Sequence, residues 1–139
     1  MFRSASTTEL EELRSLALFA SCTNKELSAI ARLSSRVTIP AGETIVRQGD
    51  LTTDCYAILS GKARAEIDGV VVAEFADGES FGELSPLDRQ PRSASVIAAT
   101  DLSALVFTGE NFATVASTIP SLTKKILTEM TVRLRAAQV

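Results

Sequence analysis

Across residues 36–107 the chain is a series of short β-type segments: VTI, TIV, CYAIL, ARAEI, VVVAEF, SASVIA and LSALVF. Pro40 and Gly42, Gly49, Gly61, Asp68-Gly69 and Gly78 punctuate them, with a break every eight to twelve residues. Strands this short bury their apolar faces only by closing on themselves or by stacking as sheets. The pattern therefore predicts a mainly β fold, a jelly-roll barrel. Asp68-Gly69, lying between ARAEI and VVVAEF, is the signal for a tight hairpin.

Helical spacing brackets this region. STTELEELRSLALF opens with Ser6 and carries Glu9 three residues on, and TNKELSAIARLSS repeats the device with Thr23 and Glu26, so two capped helices are expected ahead of the strands. After them, GENFATVAST is helical, Pro120 interrupts, and SLTKKILTEMTVRLRAAQV repeats Leu122, Ile126, Met130 and Leu134 every fourth residue. That stripe is expected to pack on the barrel or on a second copy, making a homodimer through the C-terminal helix. The expected organisation is a single domain over 1–139, with N-terminal helices in 1–35, the barrel in 36–107 and C-terminal helices in 109–139.

A chain of 139 residues can bury one sizeable core. Its apolar fraction of 45% with 22% charged is globular, and its apolar runs are too short for a bilayer, so no membrane partner is expected. The N-terminus lacks the basic and apolar regions of a signal peptide, which predicts a cytoplasmic protein with Cys22 and Cys55 reduced and buried. Net charge is -3 with no block of Lys or Arg, which argues against nucleic acid as a partner of this chain alone. There are no histidines. Imidazole general bases, Ser/His and Cys/His nucleophile pairs and His-built zinc or iron sites are thereby removed, so no catalytic residue, metal or cofactor is expected.

One stretch is denser in chemistry than the rest: FGELSPLDRQPRSASV, from Phe81. Ser85-Pro86 is a helix start, with Ser85 as N-cap, Pro86 where its missing N–H costs nothing, and Asp88 near the first turn. The amides of such a start attract an anion, and Gly82 lets that anion approach the backbone. Arg92 follows, flanked by the small residues Ser93, Ala94 and Ser95. Its planar guanidinium can make two parallel hydrogen bonds to a phosphate.

Glu83 would repel that phosphate and needs a donor of its own. A ribose 2′-hydroxyl, one sugar's length from a phosphate, supplies it. With one arginine and no GxxxxGK[ST] loop, the anion carries little charge. A phosphodiester beside a free 2′-hydroxyl meets all three demands, and that is a cyclic nucleotide. A structural ion pair between Glu83 and Arg92 is the competing reading of the same two residues.

These motifs, together with PAGETIVRQGD, YAILSGKARA and the position of Pro120, stand in the order and spacing of a known family: the chain resembles the cyclic nucleotide-binding domain. The resemblance covers nearly the whole chain. It implies a phosphate-binding cassette made of Phe81, Gly82, Glu83, Leu84, Ser85, Arg92, Ser93 and Ala94. Gly82 and Glu83 would hold the ribose 2′-hydroxyl, and the Ser85 amide, Arg92 and the Ser93 amide the cyclic phosphate. Phe81 and Leu84 would sit toward the core, and the final helix would close over the base as a lid, with Arg133, Ala137 and Gln138 near it. Pro86 departs from the family, which usually keeps an N–H there. Ser93 suits either purine, and its likeness to the bacterial receptors favours cAMP over cGMP.

The expected function is a sensor or regulatory domain whose C-terminal helix moves on binding and is read by a protein effector on another chain, since no effector segment follows. The alternative is an interaction module with the same fold that no longer binds nucleotide. A cupin-like metalloenzyme would need histidine ligands on its strands.

Overall fold

The structure, a computed structural model, describes residues 5–83 and 89–137. Two helices lead: α1, Thr7–Arg14, and α2, Asn24–Arg32, with a 3-10 turn at Ala17–Phe19 between them. Both helix starts are capped as the sequence predicts. Ser6 Oγ accepts from the Glu9 amide at 3.2 Å, and Thr23 with Glu26 forms a full capping box. The first helix is shorter than its apolar spacing suggests, because Ser15 ends it and LALF continues as the 3-10 turn.

Eight strands follow: β1 Ser35–Ile39, β2 Thr44–Val46, β3 Cys55–Ser60, β4 Ala63–Ile67, β5 Val70–Phe75, β6 Ser80–Phe81, β7 Ser95–Ala98 and β8 Leu102–Phe107. They form two four-stranded antiparallel sheets, in the orders β1-β8-β3-β6 and β2-β7-β4-β5. The jelly roll is thus present as two sheets sharing an interior, and not as a closed barrel. Ile39, Ile58, Phe81, Leu102 and Ala104 of one sheet meet Val46, Ala63, Ala65, Val96 and Ala98 of the other.

Asp68 and Gly69 have φ of 51° and 82° and connect paired Ile67 and Val70, the tight hairpin read from the sequence. Strand β6 is the element the sequence reading missed. Two residues are too few to show alternation, and only its pairing with Tyr56 and Ala57 of β3 defines it.

Two helices end the described chain: α3, Gly109–Thr118, capped by Thr108, and α4, Pro120–Ala137. Pro120 stands at the first helical position, where its lack of an N–H costs nothing. The helices cover the outer face of the first sheet. In β3, Cys55 and Ala57 point to the helices while Ile58 points inward; in β8, Leu105 and Phe107 point out while Leu102 and Ala104 point in. Central strands buried on both faces explain why CYAIL and LSALVF read as continuous apolar runs.

Phe107 anchors the outer layer, edge-on to both Phe19 and Phe112. Both cysteines are buried, Cys22 among the helices and Cys55 under them. No helix among the described residues is long and apolar enough to cross a membrane.

Candidate functional site

Strand β6 delivers the chain into the site. Phe81 closes it, stacked on Tyr56 at 5.1 Å and tilted against Phe75 at 5.4 Å, so its backbone direction is fixed from the core side. Gly82 comes next with φ 80°, in the left-handed region that glycine adopts without strain. A methyl group there would lie 2.8 Å from Arg92 Nη1 and 2.9 Å from the Asp54 carbonyl oxygen. Glycine is therefore required twice over, by conformation and by the approach of the arginine. Glu83 follows at 1% exposure.

Arg92 reaches the same place from the far side of the cassette and is 6% exposed. Its backbone is clamped to the turn after β2: the Gly49 amide donates to the Arg92 carbonyl and the Arg92 amide to the Asp50 carbonyl, both at 2.8 Å. Its guanidinium donates from Nε to Thr52 Oγ1 at 3.1 Å and from Nη2 to the Asp54 carbonyl oxygen at 2.6 Å. A buried cation held by oxygens at fixed angles is oriented before any anion arrives.

A cavity of about 240 Å³ brings the two charged residues together with Gly82, Ser93 and Ala94. Its other wall is apolar, built from Val46, Ala65, Ile67, Val72, Phe75 and Val96. A buried carboxylate and a buried guanidinium at one side, with an apolar wall at the other, suit a ligand that is itself polar at one end and flat and apolar at the other. Beside the cavity, burial and then the Asp54 carboxylate push the Tyr56 hydroxyl above its usual range, against the opposing Arg92 charge.

Of the residues expected in the site, Phe81, Gly82, Glu83, Arg92, Ser93 and Ala94 gather at this cavity. Leu84 and Ser85, with the Ser85-Pro86 helix start, lie outside the described residues, as do Gln138 and the side chains of Met130, Arg133, Leu134 and Ala137. The described part of α4 packs on the 3-10 turn and α3 through buried Leu122 and Ile126. Lys125 Nζ donates to the Ala17 carbonyl at 2.8 Å.

Sequence reasoning missed Thr52, Asp54 and the Gly49-Asp50 turn as supports of Arg92. The available signal was QGD between two β segments, which reads only as a turn. What it holds lies 43 residues on and is set by tertiary structure. Among the described residues no group of His, Cys, Asp or Glu is placed to hold a metal ion.

Fold and site together define a jelly-roll domain with a charged, one-sided ligand cleft under its second sheet. Residues 36–118 match the model of the cyclic nucleotide-binding domain, and the chain belongs to that family. It is 38% identical over 92 residues to the cAMP-dependent protein kinase regulatory subunit of Aspergillus niger, covering 65% of this chain and 22% of that protein. It is 34% identical over 96 residues to the Pycsar effector protein XpPycTIR of Xanthomonas perforans, covering 68% of this chain and 32% of that one. Among solved structures it is similar to the catabolite activator protein of Thermus thermophilus, with a TM-score of 0.78 at 31% identity over 87% of this chain and 59% of the other. The chain spans a third or less of those two curated relatives.

Proposed function

We propose that this domain is a cAMP sensor without catalytic activity of its own, and that binding shifts its C-terminal helix. The observation that carries the proposal is the convergence of buried Glu83 and pre-oriented Arg92 on one cavity beside left-handed Gly82. Arg92 donates to the exocyclic oxygens of the cyclic phosphate, Glu83 accepts from the ribose 2′-hydroxyl, and Gly82 lets the sugar approach the backbone. Leu84, Ser85, Ser93 and Ala94 complete the cassette in this reading. The names of relatives, a cAMP-dependent kinase subunit and a catabolite activator protein, support cAMP over cGMP.

A sensor needs two states that differ in ligand affinity. The state described here has α4 docked on the 3-10 turn and α3, so ligand binding is read as movement of its later turns, bringing Arg133, Ala137 and the following Gln138 toward the base. Exposed Leu127 and Val132 on that helix give a protein effector, or a second copy, apolar surface to read. The domain is assigned to the cytoplasm, where a cyclic nucleotide is made and sensed. Calorimetric titration with cAMP and cGMP tests the reading: saturable binding with cAMP the tighter supports it. Absence of binding to either leaves the domain as an interaction module.

A further inference from the structure

The loop between β2 and β3 holds Arg92 with one face and rests on a helix with the other. On the first face the Asp50 carbonyl, Thr52 Oγ1 and the Asp54 carbonyl oxygen all accept from Arg92. On the second, Thr53 is half-buried against Gly109, the first residue of α3. The approach is close: a methyl group on Gly109 would lie 2.8 Å from Thr53 Cβ and 3.3 Å from the Thr53 carbonyl oxygen, and would overlap Thr53 Oγ1. Helix propensity alone favours alanine over glycine, and the seat of Thr53 accounts for the exception. The start of α3 is pinned as well, since Thr108 Oγ1 accepts from the Asn111 amide and Asn111 Nδ2 donates to the Leu33 carbonyl, both at 3.1 Å. Bulk added at 109 is therefore relieved by the loop.

We infer that Thr53 and Gly109 are positioning residues for the phosphate end of the site: the missing side chain at 109 lets Thr53 seat on α3, and that seat sets the angle at which Thr52 and the Asp54 carbonyl present their oxygens to Arg92. The inference rests on the cyclic-nucleotide reading above. Neither residue lines the cavity, so each acts on the ligand only through the arginine. Hydrogen bonds weaken steeply as their angles close, and a loop lifted off its seat turns both acceptors away from the guanidinium. The fork that meets the phosphate is then no longer held in one plane. Glu83 lies on the far side of Gly82 from this loop in sequence, and its bond to the ribose hydroxyl is left as it was.

The test is calorimetric titration of the full chain with cAMP and its 2′-deoxy analogue, on the parent, Gly109→Ala, Thr53→Gly and Arg92→Ala, and on Gly109→Ala combined with each of the other two. Circular dichroism checks that every variant folds. Gly109→Ala should weaken cAMP by about tenfold, and Thr53→Gly, which empties the seat, by about three- to tenfold. With Thr53→Gly the added methyl group has room, and with Arg92→Ala no guanidinium is left to misplace, so in both backgrounds Gly109→Ala should cost less than about twofold. The preference for cAMP over the deoxy analogue should stay within about twofold of the parent in both single variants, because the loss is confined to the phosphate end. Unchanged cAMP affinity in Gly109→Ala, or the same tenfold loss with Arg92 absent, overturns the inference and reduces the contact to packing. Should Gly109→Ala fail to fold, Thr53→Gly decides, and parental affinity in that variant overturns the inference too. If the parent binds neither nucleotide, the inference falls together with the cyclic-nucleotide reading.

Discussion

A guanidinium at 6% exposure is costly to bury, and Arg92 is kept there by the Thr52 hydroxyl and the Asp54 carbonyl. Those contacts fix its plane, so what an anion meets is a rigid fork. Arg92→Ala should leave the far-ultraviolet spectrum unchanged and cost about a hundredfold in cAMP affinity, on the order of 3 kcal/mol, by calorimetry. Unaltered binding would refute the phosphate assignment. Glu83→Gln should weaken binding less, since an amide oxygen still accepts from a hydroxyl, and should shrink the preference for cAMP over its 2′-deoxy analogue. Full retention of that preference would remove Glu83 from the ribose. Gly82→Ala strains a φ of 80° and drives a methyl group into the space of Arg92 Nη1. It should lower stability by about 1–2 kcal/mol in denaturant melts and weaken cAMP binding as the arginine is displaced.

Among the elements, α4 is tied down at its beginning and exposed further along. Leu122 and Ile126 are buried, while Leu127 and Val132 stand open. Amide exchange over residues 127–137 should slow on adding cAMP by more than exchange in β3, which both core layers hold. Deleting residues 133–139 should weaken binding and leave the sheets folded; unchanged affinity would make this helix packing alone. The apolar spacing and Pro120 made the boundary between α3 and α4 legible in the sequence, and Asp68-Gly69 did the same for the β4–β5 turn. Glu83, Gly82 and Arg92 were legible because their chemistry lies within eleven residues. Strand β6, the support from Thr52 and Asp54, and the docking partner of α4 were not. Each is decided by a contact between distant segments, and no local periodicity or turn residue encodes such a contact.

At the scale of the molecule, two apolar layers share the strands β3 and β8, so the helices and the interior between the sheets rest on opposite faces of one sheet. Ligand at a hundred times its dissociation constant should stabilise the whole domain by about 2.7 kcal/mol, a rise of about 8 °C in Tm for a chain of this size. Cys22 offers an independent readout. Burial, and next the Glu26 carboxylate, raise its thiol above the usual range, so alkylation should track global unfolding and slow in the presence of cAMP. A single residue, Ala17, links the final helix to the loop before β6. The Ala17 amide donates to the Gly78 carbonyl at 2.9 Å, and the Ala17 carbonyl accepts from Lys125. Gly78 lies four residues before Gly82. The joint behaves as a rivet through three plates: final helix, leading turn and the loop that enters the cleft. Pulled from its C-terminal end in an optical trap, the chain should give way at this rivet before either sheet shears, and load on the helix should reach the cleft only while the rivet holds.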